Sequence, residues 1–377
     1  MIETPGLPLT LLAFVLVIGP LVFVHEMGHY LAARWFGVKS DVFSIGFGRE
    51  IAGWTDKRGT RWKIGWMPLG GYVRFAGDMN AVSQPSAEWL SLPAEERNRT
   101  FQAKPVWQRA IIVAAGPIVN FLIAMLILGG FALAFGDTRT PPVVGTVVQG
   151  SAAARAGLQA GDRITRLGDR EIAIFEDMLS YTRIHPGEVT QVTFERAGEQ
   201  LTRPVTIGVQ QQVDRFGNSY RIGMLGIARG ERVSVPVSLL EAPGIAVRRT
   251  GEIVSMMVET IGQIISGRRS VKELGGPLSI AKVSGEQITL GPEAFVFLIA
   301  LVSINLGFIN LLPVPMLDGG HLLFYAIEAV RRRPVGPDAQ EWAFRGGLAA
   351  ILGLMLLVTF NDLGNFGLWR SLARLIG

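Results

Sequence analysis

Apolar residues fall along this chain in four long runs, with stretches of shorter alternation between them. The first goes from Leu9 to Val24 and continues, past a few polar positions, to about Phe36; the second covers Ala110 to Phe135. The third starts at Ala294, is broken between Asn310 and His321, and resumes to Val330. The fourth starts at Gly347 and reaches Phe360 or beyond. As a helix the first run is roughly 40 Å long, enough to cross a ~30 Å hydrocarbon core with some tilt. The pattern predicts a polytopic α-helical membrane protein with four transmembrane helices.

The connecting stretches follow other periods. Trp62–Phe75 is apolar, aromatic and Gly-rich, which predicts a β-hairpin turning at Gly70-Gly71. Such a hairpin lies either on the protein surface or in the membrane face, where Gly70 and Gly71 would offer an edge strand to an extended substrate. After the second run, Val143–Val148 reads as a strand, Ser151–Gly157 as a short helix closed by Gly, and Ala160–Ile164 as a turn into another strand. Alternation near Val189–Phe194 and Val205–Val209 completes a small strand-rich module ending near Ala228. Val235–Ser266 has helical apolar periodicity with Arg248 and Arg249 on its polar side; this suits a helix on the membrane surface or a packed soluble one.

Charge adds sidedness. From Arg34 to Arg109 there are 12 Lys and Arg against 7 Asp and Glu, whereas Asp137 to Glu293 holds 18 against 17. The positive-inside bias makes the first loop cytoplasmic and both termini extracytoplasmic, with Arg331–Arg333 as a cytoplasmic stop. The expected segments are a first span at 1–36, a cytoplasmic loop at 37–106 and a second span at 107–136. A module at 142–228, an amphipathic helical segment at 229–292 and a broken third span at 293–331 follow. A cytoplasmic loop at 332–346 and a fourth span at 347–370 complete the chain. The N-terminus lacks the basic region of a signal peptide, so the first run is read as a retained span.

Composition narrows the class. The chain is 49% hydrophobic and only 18% charged, with mean hydropathy +0.34, where a soluble domain carries about 25% charged residues. The net charge of +5 reports topology, and no basic stretch interleaved with aromatics points to nucleic acid. Cysteine is absent, so thiolate ligands and disulfides are excluded.

The chemistry sits at the end of the first run, in His25-Glu-Met-Gly-His29. Two His four apart lie on one helix face and can aim ring nitrogens at one ion, while Glu26 reaches a water held there. This is the spacing of zinc metallopeptidases, with Glu26 as general base. Ionisable groups cost roughly 2.5 to 3.5 kcal/mol each inside a bilayer and are there for function. A hydrolytic zinc needs a third ligand, and Asp318, in the break Asn310-Leu-Leu-Pro-Val-Pro-Met-Leu-Asp-Gly-Gly-His321, is the best candidate. Asn310 either positions substrate or caps the broken helix. His321 is supporting or structural. Asn120 is either interhelical glue or a chemical group, the former preferred, and His185 is a loop residue.

The joint occurrence of His25-Glu-Met-Gly-His29, Gly116-Pro-Ile-Val-Asn120-Phe121, Gly150–Ile164 and Asn310–Gly320 resembles the bacterial site-2 proteases. The likeness is to the PDZ-bearing branch that includes the regulator of sigma-E protease. It implies one zinc on His25, His29 and Asp318, Glu26 as catalytic carboxylate, Asn310 as substrate-positioning, and Trp62–Phe75 as a membrane-re-entrant β-loop. The module at 142–228 resembles an inserted α+β PDZ domain, with Ile222, Gly223, Met224, Leu225, Gly226 and Ile227 as its peptide groove. Enzymes similar to this reside in the bacterial cytoplasmic membrane. They cut single-span substrates, anti-sigma factors or signal-peptide remnants, after a site-1-type protease has made a first cut outside. The best-known member carries two tandem PDZ modules where this chain has one. The competing readings are an inactive PDZ adaptor with a structural metal, to which His321 would give the fourth ligand, and a metal-ion transporter.

Overall fold

A computed structural model describes residues 5–77, 93–213, 219–230, 233–266 and 275–365. The last residues of the expected fourth span, 366–370, lie outside that set. In chain order, helix α1 covers Leu7–Trp35, strands β1 and β2 cover Ser40–Thr55 and Arg61–Phe75, α2 covers Ala94–Arg97 and α3 covers Val106–Phe135. Then come β3 (Asp137–Arg139), β4 (Val144–Val147), α4 (Ala152–Arg155), β5 (Arg163–Leu167), β6 (Arg170–Glu171) and α5 (Phe175–Ile184). Strands β7 (Val189–Arg196), β8 (Glu199–Thr206), β9 (Gly208–Val213), β10 (Ser219–Met224), β11 (Ile227–Arg229) and β12 (Val233–Val235) follow. The chain continues with α6 (Ala242–Ile265), α7 (Pro277–Thr289), α8 (Pro292–Leu311), α9 (Asp318–Arg331) and α10 (Pro337–Asn365). It divides into two compact units, Met1–Gly130 with Pro243–Gly377, and Phe131–Ala242.

In the first unit α1, α3, α8 and α10 are long and apolar enough to cross a membrane. Their packing is inverted relative to a soluble bundle. The buried ladder of α3 runs Ile112, Gly116, Asn120, Ala124, Leu128, Ala132, one residue per turn with Gly or Ala at every other step, while Leu122 and Leu126 are exposed. Small residues inward and large apolar ones outward is how helices pack when the solvent is lipid. The buried face of α1 shares the four-residue period: Ala13, Val17 and Leu21 lead to His25. The apolar stripe that packs the helix thus delivers the first imidazole inward.

Strands β1 and β2 do not form the hairpin expected within Trp62–Phe75. That stretch is all β2; the chain reverses at Asp56–Thr60, where Asp56 Oδ1 accepts from the amides of Arg58 and Thr60. Both strands bend back on themselves, so Val42–Ile45 have Arg61–Ile64 on one side and Gly71–Arg74 on the other. Gly70, at φ +103°, marks an irregularity in β2 rather than a hairpin tip. The Gly71–Phe75 stretch is left at the margin of this sheet.

The C-terminal half corrects two boundaries. Helix α10 starts at Pro337, ten residues before Gly347, because Pro337 and Asp338 supply a helix-start signal. The expected loop at 332–346 is therefore largely helical. Helix α6 starts at Ala242 rather than Val235; β12 occupies Val233–Val235, and Ser238 bonded to Glu241 prepares the helix start. Ala246, Ile253, Val254 and Met257 of α6 pack with Ala124, Leu128, Ala300 and Ile304 of α3 and α8. Helix α7 opens on a carboxylate from α10: Asp362 accepts from the amides of Gly276 and Ser279 and from the Ser279 hydroxyl.

The second unit is strand-rich. A four-stranded sheet of order β6-β5-β7-β8 carries a core of Ile164, Leu167, Met178, Val192 and Phe194. Strand β4 pairs with β11, β9 with β10, and β3 with β12. Ser151 caps α4 and Gly157, at φ +75°, ends it, as the sequence predicts. Asp162 turns the chain into β5 and accepts from Arg196 Nε and Nη2, each at 2.7 Å.

Candidate active site

Helix α1 supplies His25, Glu26 and His29, and the first turn of α9 supplies Asp318. Ending α8 at Leu311 and restarting at Asp318 requires the segment Leu312–Leu317, with Pro313, Pro315 and Met316 at φ +84°. This turn is closely gripped. A Cβ on Gly319 would sit 2.2 Å from the Leu312 carbonyl oxygen, and one on Gly347 of α10 would sit 2.4 Å from that of Pro315. Placing Asp318 in the first turn of α9 also gives its carboxylate the positive end of a helix.

The two imidazoles and the carboxylate converge. His25 Nε2 lies 3.3 Å from His29 Nε2, and Asp318 Oδ2 lies 3.2 Å and 3.5 Å from them. All three candidate ligand atoms are within 4.8 Å of one another. Asp318 Oδ2 is buried and makes no hydrogen bond. His29 Nδ1 donates to the Ile112 carbonyl at 2.9 Å, which leaves a lone pair on Nε2 of the neutral ring. The lone pair on His29 Nε2 and the unpaired carboxylate oxygen, converging with His25 Nε2 on one point, fit a cation.

Glu26 is buried and lies in the same cavity as the three ligand candidates. The edge of β2 closes on it: a Cβ on Gly71 would meet Glu26 Cγ at 2.9 Å and Val22 Cγ1 at 3.0 Å. Only glycine lets the strand approach so near. Asn310, on the last turn of α8, lines the same cavity, as do Gly70, Gly71, Phe47 and His321. Its volume is about 370 Å³, at the lower end of the range of ligand sites. His321 also packs against Phe344 of α10, ring centroids 5.3 Å apart and planes tilted by 42°.

Asn120 joins α3 to α1, as expected of a polar residue between helices, but the sequence did not name its partner. Its Nδ2 lies 3.1 Å from His25 Nδ1, both side chains are buried, and its Oδ1 has no partner. The available signal was its position one turn after Gly116, on a ladder that passes the face of α1 carrying His25 and His29. In the second unit, Ile222–Ile227 do not form one strand: β10 ends at Met224, Gly226 has φ +75°, and β11 starts at Ile227. Ile222–Met224 pair with Gly208–Gln210 of β9, and a Cβ on Gly223 would sit 2.0 Å from the Thr182 carbonyl oxygen of α5.

Comparison with known proteins agrees with the geometry. A protein of Agrobacterium fabrum, Atu1380, provisionally named a zinc metalloprotease, is 46% identical over 357 residues, 93% of this chain and 95% of that one. Metalloprotease MmpA of Caulobacter vibrioides is 36% identical over 395 residues, covering 98% of this chain and 99% of that one. The PDZ domain of an SdrC-like protein of Listeria monocytogenes aligns at 18% identity and a TM-score of 0.20, over 25% of this chain and 90% of that one. The profile of peptidase family M50 matches residues 13–354. The chain is a zinc metalloprotease and belongs to peptidase family M50, the site-2 proteases.

Proposed function

We propose that this enzyme cuts transmembrane segments of single-span proteins within the bilayer, after a first cut outside has trimmed them. The observation that carries the reading is the meeting of Asp318 with His25 and His29, across 289 residues of sequence, on helices apolar enough to span. His25, His29 and Asp318 would hold the zinc. When bound, it supplies Lewis acidity for the scissile carbonyl and lowers the pKa of the attacking water.

The chain's own residues do the remainder. Glu26, buried beside the ligands, accepts a proton from the attacking water and delivers it to the amide nitrogen as the C–N bond breaks and the C–O bond forms. A transmembrane helix hides every peptide bond in its own hydrogen bonds, so the substrate must unwind locally. Gly70 and Gly71 at the β2 margin hold the unwound segment, and Asn310 hydrogen-bonds its backbone across the cavity. The second unit acts as a PDZ filter outside the cytoplasm, with Ile222–Ile227 at its groove and trimmed stubs as its clients. The enzyme sits in the bacterial cytoplasmic membrane with both termini extracytoplasmic. A structural zinc in an adaptor usually takes four protein ligands, whereas the cluster among the described residues holds three.

The test is Glu26→Gln in purified protein reconstituted with a single-span substrate. Proteolysis is expected to disappear while zinc content and folding stay at wild-type level. Cleavage at the wild-type rate would refute the assignment of the base.

A further inference from the structure

We infer that Asn120 is a positioning residue of the zinc site: its side-chain oxygen holds the outer nitrogen of His25 so that the inner nitrogen faces the ion with a lone pair. The inference rests on His25 being a zinc ligand, as proposed above. Nε2 of His25 points at His29 Nε2 and Asp318 Oδ2, at 3.3 Å and 3.2 Å. A ring that ligates through Nε2 carries its proton on Nδ1, and that proton needs an acceptor. The side-chain group at Nδ1 is the Asn120 amide, 3.1 Å away, and the backbone of Gly116, one turn earlier on α3, also bears on this ring.

Oxygen and nitrogen of an amide are nearly isosteric, and their placement follows the hydrogen bonds they serve. With Nδ2 toward His25, the ring would have to carry its proton on Nε2, among the ligand atoms. Turned by half a rotation, Oδ1 accepts from Nδ1–H and the inner lone pair is free. The far end of the amide has no described partner in the first orientation, Oδ1 being buried and unpaired, so His25 and the ion decide the choice.

The rest of α3 fits the role. Ser303 of α8 donates to the Asn120 carbonyl at 2.8 Å, fixing the backbone from which the amide projects. Eight residues earlier on the same face, the Ile112 carbonyl does for His29 what Asn120 does for His25. One helix thus orients both imidazoles.

The experiment titrates detergent-solubilised apoprotein with zinc against a chromogenic chelator. Asn120→Leu removes the side-chain acceptor at similar volume and leaves the Gly116 backbone in place, and its zinc affinity should fall by about 10- to 100-fold, the usual cost of losing a group that orients a ligand. Asn120→Asp keeps an acceptor and should restore near-wild-type affinity. Nitrogen-15 shifts of His25 in the zinc-loaded wild type, which need no variant, should show the proton on Nδ1. Wild-type zinc affinity in Asn120→Leu, or a proton on Nε2, would overturn the inference; a lowered melting temperature with unchanged zinc affinity would assign Asn120 to packing alone. His25→Ala separates the two levels: if it binds zinc as tightly as wild type, the ligand assignment itself fails.

Discussion

Alanine at Gly116 adds one methyl group at a place where the structure leaves no room. The new Cβ would stand 2.3 Å from His29 Nε2, 2.6 Å from Cε1 and 2.9 Å from Cδ2. Ordinary contact is about 3.5 Å, so Nε2 must retreat by roughly 1.2 Å, whereas a coordination bond tolerates about 0.2 Å. The ring cannot slide freely, because Nδ1 is tied to Ile112, one turn away on the same helix as the new methyl. Parting α1 from α3 would break the contact in which a Cβ on Gly28 would already be 2.6 Å from the Ala115 carbonyl oxygen. Zinc affinity in Gly116→Ala should therefore fall by at least about 10-fold, the lower bound for disturbing a ligand's orientation. Gly130→Ala is the matched control: same helix, same added atom, and nothing within 4 Å of it. Both proteins would be titrated with zinc as apoproteins, with helicity followed by circular dichroism. Equal affinity in the two variants would refute the claim that α3 sets the position of His29.

Two further predictions concern stability. Asp162 is pushed up by its burial, but bonds from Arg196 and the Gln159 amide, with the Arg196 charge, outweigh this and hold its carboxyl below the usual value. A depressed folded-state pKa gives stability that is present above the unfolded value of about 3.9 and is lost as pH falls through the folded one. Hydrogen exchange, corrected for intrinsic rates, should show β7 and β8 less protected in Asp162→Asn than in wild type at pH 7, with the gap closing below about pH 4; a gap independent of pH would contradict the ion-pair account. Asp362→Ala leaves the buried amides at the start of α7 unpaired and should cost about 1–3 kcal/mol, read as a lower unfolding midpoint and faster exchange in the first turn of α7. Unchanged exchange there would show that the amides find other partners.

The legibility of this protein in its sequence divides along local and non-local lines. His25 and His29 are one helical turn apart, so spacing alone sets them on a common face, with Glu26 beside it. Asp318 was legible for an energetic reason: a carboxylate in an apolar run beside Pro313 and Pro315 needs a cation. The module's first turns were local too, Ser151 and Gly157 being a cap and a stop that propensity specifies. Trp62–Phe75 misled because its Gly70-Gly71 pair has turn chemistry, while the actual reversal lies at Asp56–Thr60 and each strand takes two sets of partners. Pairing of that kind is decided by residues far away in sequence, and no period reports it. Asn120 was read as glue because its partner lies 95 positions away. Polarity inside a helix shows that a side chain needs company, not whose.

The glycine at 347 gives α10 a meaning beyond anchorage. Its bare backbone is the floor on which Pro315 rests, and Pro315 fixes the bend that ends in Asp318. A generic lipid-crossing helix spliced in place of α10 would keep the protein in the bilayer yet drop that floor. Gly347, which never approaches the reacting bond, is thus held to a tolerance that Gly346 and Gly353 on the same helix are not.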